Sequence, residues 1–266
     1  MTADKKKSFK SNLITYIMVI VAFVVVQTID GAGILSNSIS GLLVPICAYI
    51  CMAVSLNLCV GILGELSLGH AGFMSVGAFS GVIACIGLQG VVPNDIVRLI
   101  LAIIIGGAIA GFAGVIIGIP VLRLSGDYLA IVTLAFGEII KNILNNIYIG
   151  IDASGLHFSM KDTASLGMTN GTVIVNGPQG AVGIDKISTF VAGFVLILVV
   201  LFITLNLVNS RTGRAVMAIR DNRIAAEATG INVTKYKMMA FVTSAADSMT
   251  VRRAVRYVAS STSSLT

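Results

Sequence analysis

Long apolar runs constrain the fold of this chain more than any other feature of its sequence. Six of them are long enough to cross roughly 30 Å of hydrocarbon as an α-helix. Because lipid offers the backbone no hydrogen-bond partner, each run must satisfy its own N–H and C=O groups, which a helix does and an open sheet does not. The runs lie at residues 13–29, 42–63, 66–88, 99–121, 128–149 and 189–208. The sequence therefore predicts an all-α, polytopic transmembrane helical bundle with about six complete spans and an incomplete seventh, which begins at residues 237–246.

The composition supports this class and excludes others. Hydrophobic residues make up 56% of the chain and charged residues 11%, whereas about a quarter of the residues in a soluble domain are charged. The net charge of +6 does not indicate a nucleic-acid-binding protein, because the basic residues lie in connections between apolar runs and not on one solvated face. Four cysteines lie inside apolar runs without CxxC spacing, which indicates small buried side chains and not disulfides or metal ligands: Cys47, Cys51, Cys59 and Cys85.

The basic residues also predict the orientation. Connections alternate between the two sides of a membrane, and cytoplasmic connections carry an excess of Lys and Arg. With the N-terminus in the cytoplasm, the outer connections collect Arg98, Lys161 and Lys186. The inner ones collect Lys5, Lys6, Lys7, Lys10, Arg123, Arg211, Arg214, Arg220, Arg223, Lys235 and Lys237. The sequence thus predicts a multi-pass protein of the cell membrane with an uncleaved first span and a cytoplasmic N-terminus.

The long outer connection, residues 150–186, is polar and rich in Gly, Ser, Thr and Asn. Within it, residues 172–175 form a short β-like stretch. Outside this connection we expect almost no strand. We expect the connection itself to be a partly ordered lid or docking surface.

A polar interruption separates the second and third apolar runs. Asn57, Glu65, Ser67 and His70 lie there among apolar residues, and several nearby glycines would allow the helix to break and line a passage. Ionisable groups at membrane depth cost about 2.5–3.5 kcal/mol each and usually face an interior or a water-filled path. These four side chains are therefore candidates for a translocation path. A tight cytoplasmic hairpin, in which Glu65 and His70 are simply solvated, is the alternative that the residues leave open.

A second polar stripe lies on the fifth apolar run. Glu138, Lys141, Asn142 and Asn145 share one helical face at i, i+3, i+4 and i+7. Glu138 and Lys141 can form an ion pair, which lowers the cost of placing either in a membrane. Two interpretations stay open: the stripe packs against a neighbouring helix, or Glu138, Lys141 and Asn142 line the translocation path.

The connection at residues 209–237 is long, polar and rich in Arg and Lys. Asp221 is placed to cap a short helix over residues 222–229, and Gly230 is placed to terminate it. A helix of this length is marginal alone in water, so it needs a surface to pack against. That surface belongs to the bundle itself, to a partner protein or to anionic lipid.

Catalytic motifs are missing from the sequence. It contains no GxxxxGK[ST] phosphate loop, no HExxH and no GxSxG, and its two histidines, His70 and His157, lie far apart. We therefore predict no enzyme, no cofactor and no metal site. Any nucleotide hydrolysis that drives transport would belong to a separate chain.

Three segments resemble the membrane permeases of ATP-binding-cassette (ABC) importers for branched-chain amino acids. They are LNLCVGILGELSLGHAGFMSVGAFSG at 56–81, RLSGDYLAIVTLAFGEIIKNIL at 123–144 and SRTGRAVMAIRDNRIAAEATGINVTKYKMMAF at 210–241. The second segment is typical of one of that family's two paired permease subunits. The resemblance implies a permease subunit of the bacterial plasma (inner) membrane that translocates branched-chain amino acids by alternating access, driven by a separate ATPase.

The same resemblance implies partners and a coupling element. The assembly would contain two permease subunits, two ABC ATPase subunits and an extracytoplasmic substrate-binding protein, in contact with membrane lipid and without nucleic acid. The connection at 209–237 would insert a coupling helix into a cleft of the ATPase. The residues of that helix are Asp221, Arg223, Ile224, Ala225, Ala226, Glu227, Ala228 and Gly230. Related permeases serve urea or short amides, so the substrate stays open.

After Ala246 the sequence departs from that family. The expected apolar continuation is replaced by DSMTVRRAVRYVASSTSSLT, in which Arg252, Arg253 and Arg256 interrupt the run. We therefore expect a permease domain at residues 1–246 and an atypical, disordered tail at 247–266, which a truncation or a shifted reading frame would explain. Two hypotheses stay open beside the permease subunit: a self-contained channel or secondary carrier, and a non-functional membrane fragment.

Overall fold

Helices make up most of the structure, a computed structural model that describes residues 3–33, 35–88, 92, 94–124, 126–152, 155–161, 163–167, 172–179 and 190–249. The helices are α1 (Ala3–Gly31), α2 (Asn37–Asn57), α3 (His70–Gly87), α4 (Asp95–Val121), α5 (Asp127–Asn145), α6 (Phe190–Asn209), α7 (Arg211–Asp221), α8 (Arg223–Ala228) and α9 (Val233–Met249). Three strands lie between α5 and α6: β1 (Tyr148–Asp152), β2 (Gly155–Ser159) and β3 (Thr172–Asn176). Lys186 and residues 250–266 of the predicted tail lie outside the described residues.

Among the described residues, six helical segments are long and apolar enough to cross a membrane, which confirms the predicted number of spans. They are Asn12–Gly31, Ser38–Leu63, His70–Gly87, Ile96–Val121, Tyr128–Asn145 and Phe190–Asn209. The seventh apolar run is helical too and forms part of α9. The chain is therefore an all-α, polytopic bundle of a multi-pass membrane protein.

Helix α9 lies at the centre of the bundle, although the sequence predicts only an incomplete span there. It packs against α2, α3 and α4, and its Phe241 and Ala245 are completely buried. The ring of Phe241 meets Phe73 of α3 edge to face, with centroids 5.4 Å apart. Gly114 of α4 permits the close approach, because a Cβ at that position would lie 3.0 Å from the Cβ of Ala245. The core of the bundle is thus built around its last described helix.

The helix is interrupted between the second and third spans, at the place where the glycines of the sequence allow a break. After α2 the chain forms a π-helical turn at Leu58–Leu63, and Gly64 then adopts a left-handed conformation with φ of 77°. The chain is non-helical until α3 begins at His70. The third helix therefore starts later than residue 66, where its apolar run begins, because the left-handed glycine stops the preceding helix and a non-helical stretch follows it.

The connection after α5 forms a small antiparallel sheet with the strand order β2-β1-β3. In β1, Ile149 lies opposite Phe158 of β2 and Val175 of β3. Strand β3 confirms the β-like stretch at 172–175, whereas β1 and β2 are strands that the apolar pattern does not reveal. The fifth helix ends at Asn145 and not at the predicted residue 149, because the residues that follow pair in the sheet.

The cap predicted for the short basic helix is wrong by one residue. Asp221 is the last residue of α7, and the cap of α8 is Asn222, whose Oδ1 accepts a hydrogen bond from the Ala225 N–H at 3.0 Å. Asp221 and Asn222 are both residue types that cap helices, and the sequence does not show that Asp221 already belongs to α7. Gly230 ends the helix as predicted, with a φ of 83°.

Candidate functional site

The connection between α2 and α3, which comprises the π-helical turn and the non-helical residues after it, is held by two other helices. Thr133 of α5 accepts a hydrogen bond from the Leu68 N–H through its Oγ1 at 3.1 Å. Gly69 lies so close to Thr133 that an added Cβ would be 2.5 Å from the carbonyl oxygen of Thr133. From the other side, Arg220 of α7 donates from Nη1 to the Gly61 carbonyl at 3.0 Å. The segment is therefore a fixed part of the bundle.

A buried serine–histidine cluster, comprising Ser55, Ser67, His70 and Ser244, joins α9 to this segment. His70 Nε2 lies 2.7 Å from Ser244 Oγ, and its Nδ1 lies 3.2 Å from Ser67 Oγ. Ser244 Oγ donates to the Ser55 carbonyl at 2.6 Å, and Ser55 Oγ donates to the Ser244 carbonyl. The relative exposure of these four residues is 0 to 3%, so the cluster is closed to solvent.

The direction of these bonds assigns the proton of His70. Because the Ser244 hydroxyl hydrogen is directed to the Ser55 carbonyl, its oxygen accepts a bond from Nε2–H of His70. Nδ1 of the neutral ring then accepts from the Ser67 hydroxyl. Both ring nitrogens thus have a hydrogen-bond partner. Because every donor in the cluster is used, the network stabilises a single packing arrangement.

An ion pair lies two helical turns from Ser244 on the same face of α9. Lys237 Nζ contacts Glu65 Oε1, and the two side chains retain only 7% and 13% of their exposure. The other carboxylate oxygen, Glu65 Oε2, is buried without a hydrogen-bond partner in the described part of the chain. Removal of Lys237 would therefore leave an uncompensated charge inside the bundle. A solvated hairpin, the alternative interpretation of Glu65 and His70, is wrong.

The structure brings together three of the predicted path residues, Glu65, Ser67 and His70, against α9. Asn57 stands apart from them and is exposed at the end of α2. Sequence reasoning missed the residues of other helices that pair with Glu65 or belong to the hydrogen-bond network of His70. A signal was present in the sequence, because two of these residues are polar and lie seven positions apart in α9. These partners are Ser55, Lys237 and Ser244.

The polar stripe on α5 forms a separate region on the surface of the bundle. Lys141 Nζ lies 3.2 Å from Glu138 Oε2, as the predicted pair requires, and the two side chains are 62% and 56% exposed. Asn142 is exposed beside them, and Asn145 is half-buried. In the described ranges no helix covers the stripe, and these two charges are exposed there.

Helices α7 and α8 carry their own caps. Ser210 Oγ accepts a hydrogen bond from the Gly213 N–H at 3.2 Å and begins α7. At the end of α8, the Gly230 N–H donates to the Glu227 carbonyl at 3.0 Å and the Ile231 N–H to the Ala226 carbonyl at 3.1 Å. This pair of bonds is a Schellman motif, so the short helix α8 is defined at both ends.

Helix α8 buries one side and exposes the other. Ala226 is 4% exposed and packs with Ile219 and Val233, so the bundle supplies the surface that a short helix needs. Ile224, in contrast, is 80% exposed, the highest value among the large hydrophobic side chains of the described residues. Arg223 and Glu227 form an exposed ion pair at 3.2 Å along the same helix.

Metal-ligating residues do not cluster in the described structure. No group of three or more His, Cys, Asp or Glu side chains there could hold a metal ion. The four cysteines are free and buried, as the sequence predicts. The polar regions of the bundle therefore contain ion pairs and hydrogen-bond networks.

Comparison with known proteins supplies a family. A family model described as a branched-chain amino acid transport system permease component matches residues 38–247. The high-affinity branched-chain amino acid transport system permease protein LivM of Salmonella typhimurium is 34% identical over 217 residues, which cover 74% of this chain and 47% of the relative. The LivM protein of Escherichia coli is 33% identical over 218 residues, with the same coverage of 74% and 47%. The chain thus spans about half the length of these relatives, and no solved structure gives a significant match to it.

Proposed function

The chain belongs to the family of branched-chain amino acid transport system permease components, and on that premise we propose that it is the membrane-spanning permease subunit of an ATP-driven importer. In this proposal it translocates branched-chain amino acids by alternating access, and a separate ATPase subunit supplies the energy. The N-terminus then lies in the cytoplasm of a bacterial cell, on the side that the excess of Lys and Arg favours.

The exposed side of α8 is the observation that carries this proposal. A six-residue helix that lies on the bundle through Ala226 has no structural need for an isoleucine that is 80% exposed at position 224. The support comes from its position, because Ile224 lies on a short, capped helix of the connection that the family resemblance assigns to the ATPase contact. An ATPase cleft that receives α8 would bury Ile224 and surround it with the charges of Arg223 and Glu227.

The contacts of the neighbouring helices suggest how such docking would reach the membrane. Arg220 of α7 bonds to the Gly61 carbonyl within the π-helical turn, and Lys237 of α9 pairs with Glu65 just beyond that turn. Movement of α7 and α8 by a partner would therefore pull on the break between α2 and α3. In this proposal the break, with Glu65, Ser67 and His70, moves as the path opens, and Asn57, Glu138, Lys141 and Asn142 border the path.

The proposed assembly has further members. A second permease subunit completes the path, one of the two ATPase subunits binds the surface of α7 and α8, and an extracytoplasmic substrate-binding protein delivers the ligand. The sheet of β1, β2 and β3 lies at the end of α5, on the side where the binding protein would dock. The tail beyond Ala246 is proposed to take no part in these contacts.

Co-purification of the ATPase subunit tests the proposal. The tagged full chain is expressed with the ATPase subunits of a branched-chain amino acid importer of the same organism and purified in mild detergent. We expect the ATPase to be retained, and we expect Ile224→Asp to reduce its recovery at least tenfold, because a buried contact then receives a charge.

A matched control is available at the opposite end of the bundle. Ile96 is 69% exposed at the start of α4, so Ile96→Asp introduces the same change on a surface that the ATPase would not contact. It should leave recovery unchanged. Failure of the unsubstituted chain to retain any ATPase would contradict the proposal, and equal recovery with Ile224→Asp would contradict the role of α8.

A further inference from the structure

We propose that the ion pair on α5 binds the charged ends of a zwitterionic amino acid, with Glu138 contacting its ammonium group and Lys141 its carboxylate. This inference rests on the proposed transport function, because a transport path is what brings such a ligand to this depth. It gives each charge of the stripe a separate role and limits the ligands to molecules that carry both charges.

The depth of the pair argues against contact with lipid. Glu138 lies roughly two turns, about 10 Å, before the end of α5 at Asn145. A lysine stem is long enough to extend its ammonium group towards the membrane surface, whereas a glutamate stem is much shorter. The Glu138 side chain is nevertheless 56% exposed on the bundle. Beyond its pairing with Lys141, it therefore requires polar surroundings that the described part of the chain does not supply.

The two charges are arranged as the complement of an amino acid. Lys141 Nζ and Glu138 Oε2 lie 3.2 Å apart, and in the described structure these two side chains pair with each other. In an α-amino acid the ammonium and carboxylate groups are attached to one carbon, so the ligand can contact both side chains at once. When the ligand inserts between Glu138 and Lys141, their ion pair is replaced by two ion pairs with the ligand. Every charge then keeps an opposite partner.

The same face of α5 also suits an aliphatic side chain. Leu134 precedes Glu138 by about one turn and Ile131 precedes it by about two, so the three residues lie in line. Leu134 is 48% exposed and Ile131 is 62% exposed. A ligand held by the pair through its charged end would lay its apolar part on these two residues, which favours a branched or unbranched aliphatic amino acid.

Cysteine labelling tests this site without relying on transport. Leu134→Cys is placed in the full chain, in right-side-out membrane vesicles that contain the whole importer, and its rate of reaction with a membrane-impermeant methanethiosulfonate is measured. The four native cysteines are buried, so the background reaction is slow. Ile104→Cys is the control, because it is 61% exposed on α4 and both positions lie roughly 15 Å from the same end of the bundle.

We expect Leu134→Cys to react at least tenfold faster than Ile104→Cys, and leucine to slow the reaction at least fivefold. Leucinamide lacks the carboxylate and N-acetylleucine lacks the ammonium group, so each should protect much less than leucine. Addition of Glu138→Gln should abolish the preference for leucine over N-acetylleucine. Addition of Lys141→Met should abolish the preference for leucine over leucinamide.

The possible failures are distinguishable. Equal protection by leucine and leucinamide would overturn the zwitterion site and leave the proposed function intact. A reaction as slow as that of Ile104→Cys would also overturn the site, because lipid or another protein then covers the stripe. Loss of the ATPase subunit from the unsubstituted assembly, in contrast, would contradict the proposed function itself.

Discussion

The serine–histidine cluster and the ion pair on α5 place polar groups in apolar helices in opposite ways. In the cluster, residues from α2, α3 and α9 satisfy one another, and His70 is 3% exposed. On α5, Glu138 and Lys141 come from one helix and remain more than half exposed. A polar group whose partners lie inside the chain stabilises the fold, whereas in our proposal the exposed pair on α5 receives a partner from outside the chain.

Removal of Lys237 should produce the largest effect, because Glu65 beside the cluster would then be buried without a counter-charge. We expect Lys237→Met to lower the free energy of unfolding by about 3–5 kcal/mol. Adding Glu65→Gln should restore more than half of the loss, since the stranded charge is removed. Equilibrium unfolding in mixed detergent and SDS micelles measures both variants. A double variant as unstable as the single one would contradict the buried-charge explanation.

Loss of the imidazole should produce the next largest effect. His70→Ala leaves the Ser67 hydroxyl without its acceptor and opens a cavity, and we expect a loss of about 3 kcal/mol by the same measurement. Ser80→Ala is the control on α3, because its hydroxyl bonds to carbonyls of its own helix. It should cost less than about 0.5 kcal/mol. Similar losses for the two variants would show that the cluster does not stabilise the bundle.

The smallest effect on stability is expected on α5. Glu138→Gln breaks an exposed pair, so in detergent it should change the free energy of unfolding by less than about 0.5 kcal/mol. Uptake of leucine by vesicles that contain the assembled importer should nevertheless fall at least tenfold. A large loss of stability would remove the distinction between the two regions, because Glu138 would then act as a structural residue.

The spans and the break between α2 and α3 could be predicted because their signals are local. Apolar length determines a membrane helix, and glycines near Gly64 mark the place where the helix stops. The pairing on α5 is local as well, since Glu138 and Lys141 are three residues apart.

The partners within the cluster could not be predicted, because they lie far apart in sequence. Ser55 and Ser244 are separated by 189 residues, and His70 and Ser244 by 174. Nothing local in α9 shows that Lys237 faces Glu65 and not solvent. The strand β1 was missed for a different reason, since the fifth apolar run continues into it and hides its start.

The bond between Arg220 and the Gly61 carbonyl has a consequence for biogenesis. The two residues are 159 positions apart, so α2 and α3 leave the ribosome and can enter the membrane long before α7 exists. Until then the carbonyl within the π-helical turn lacks its final donor. The hairpin of α2 and α3 is therefore among the earlier parts to be inserted and among the last to be completed.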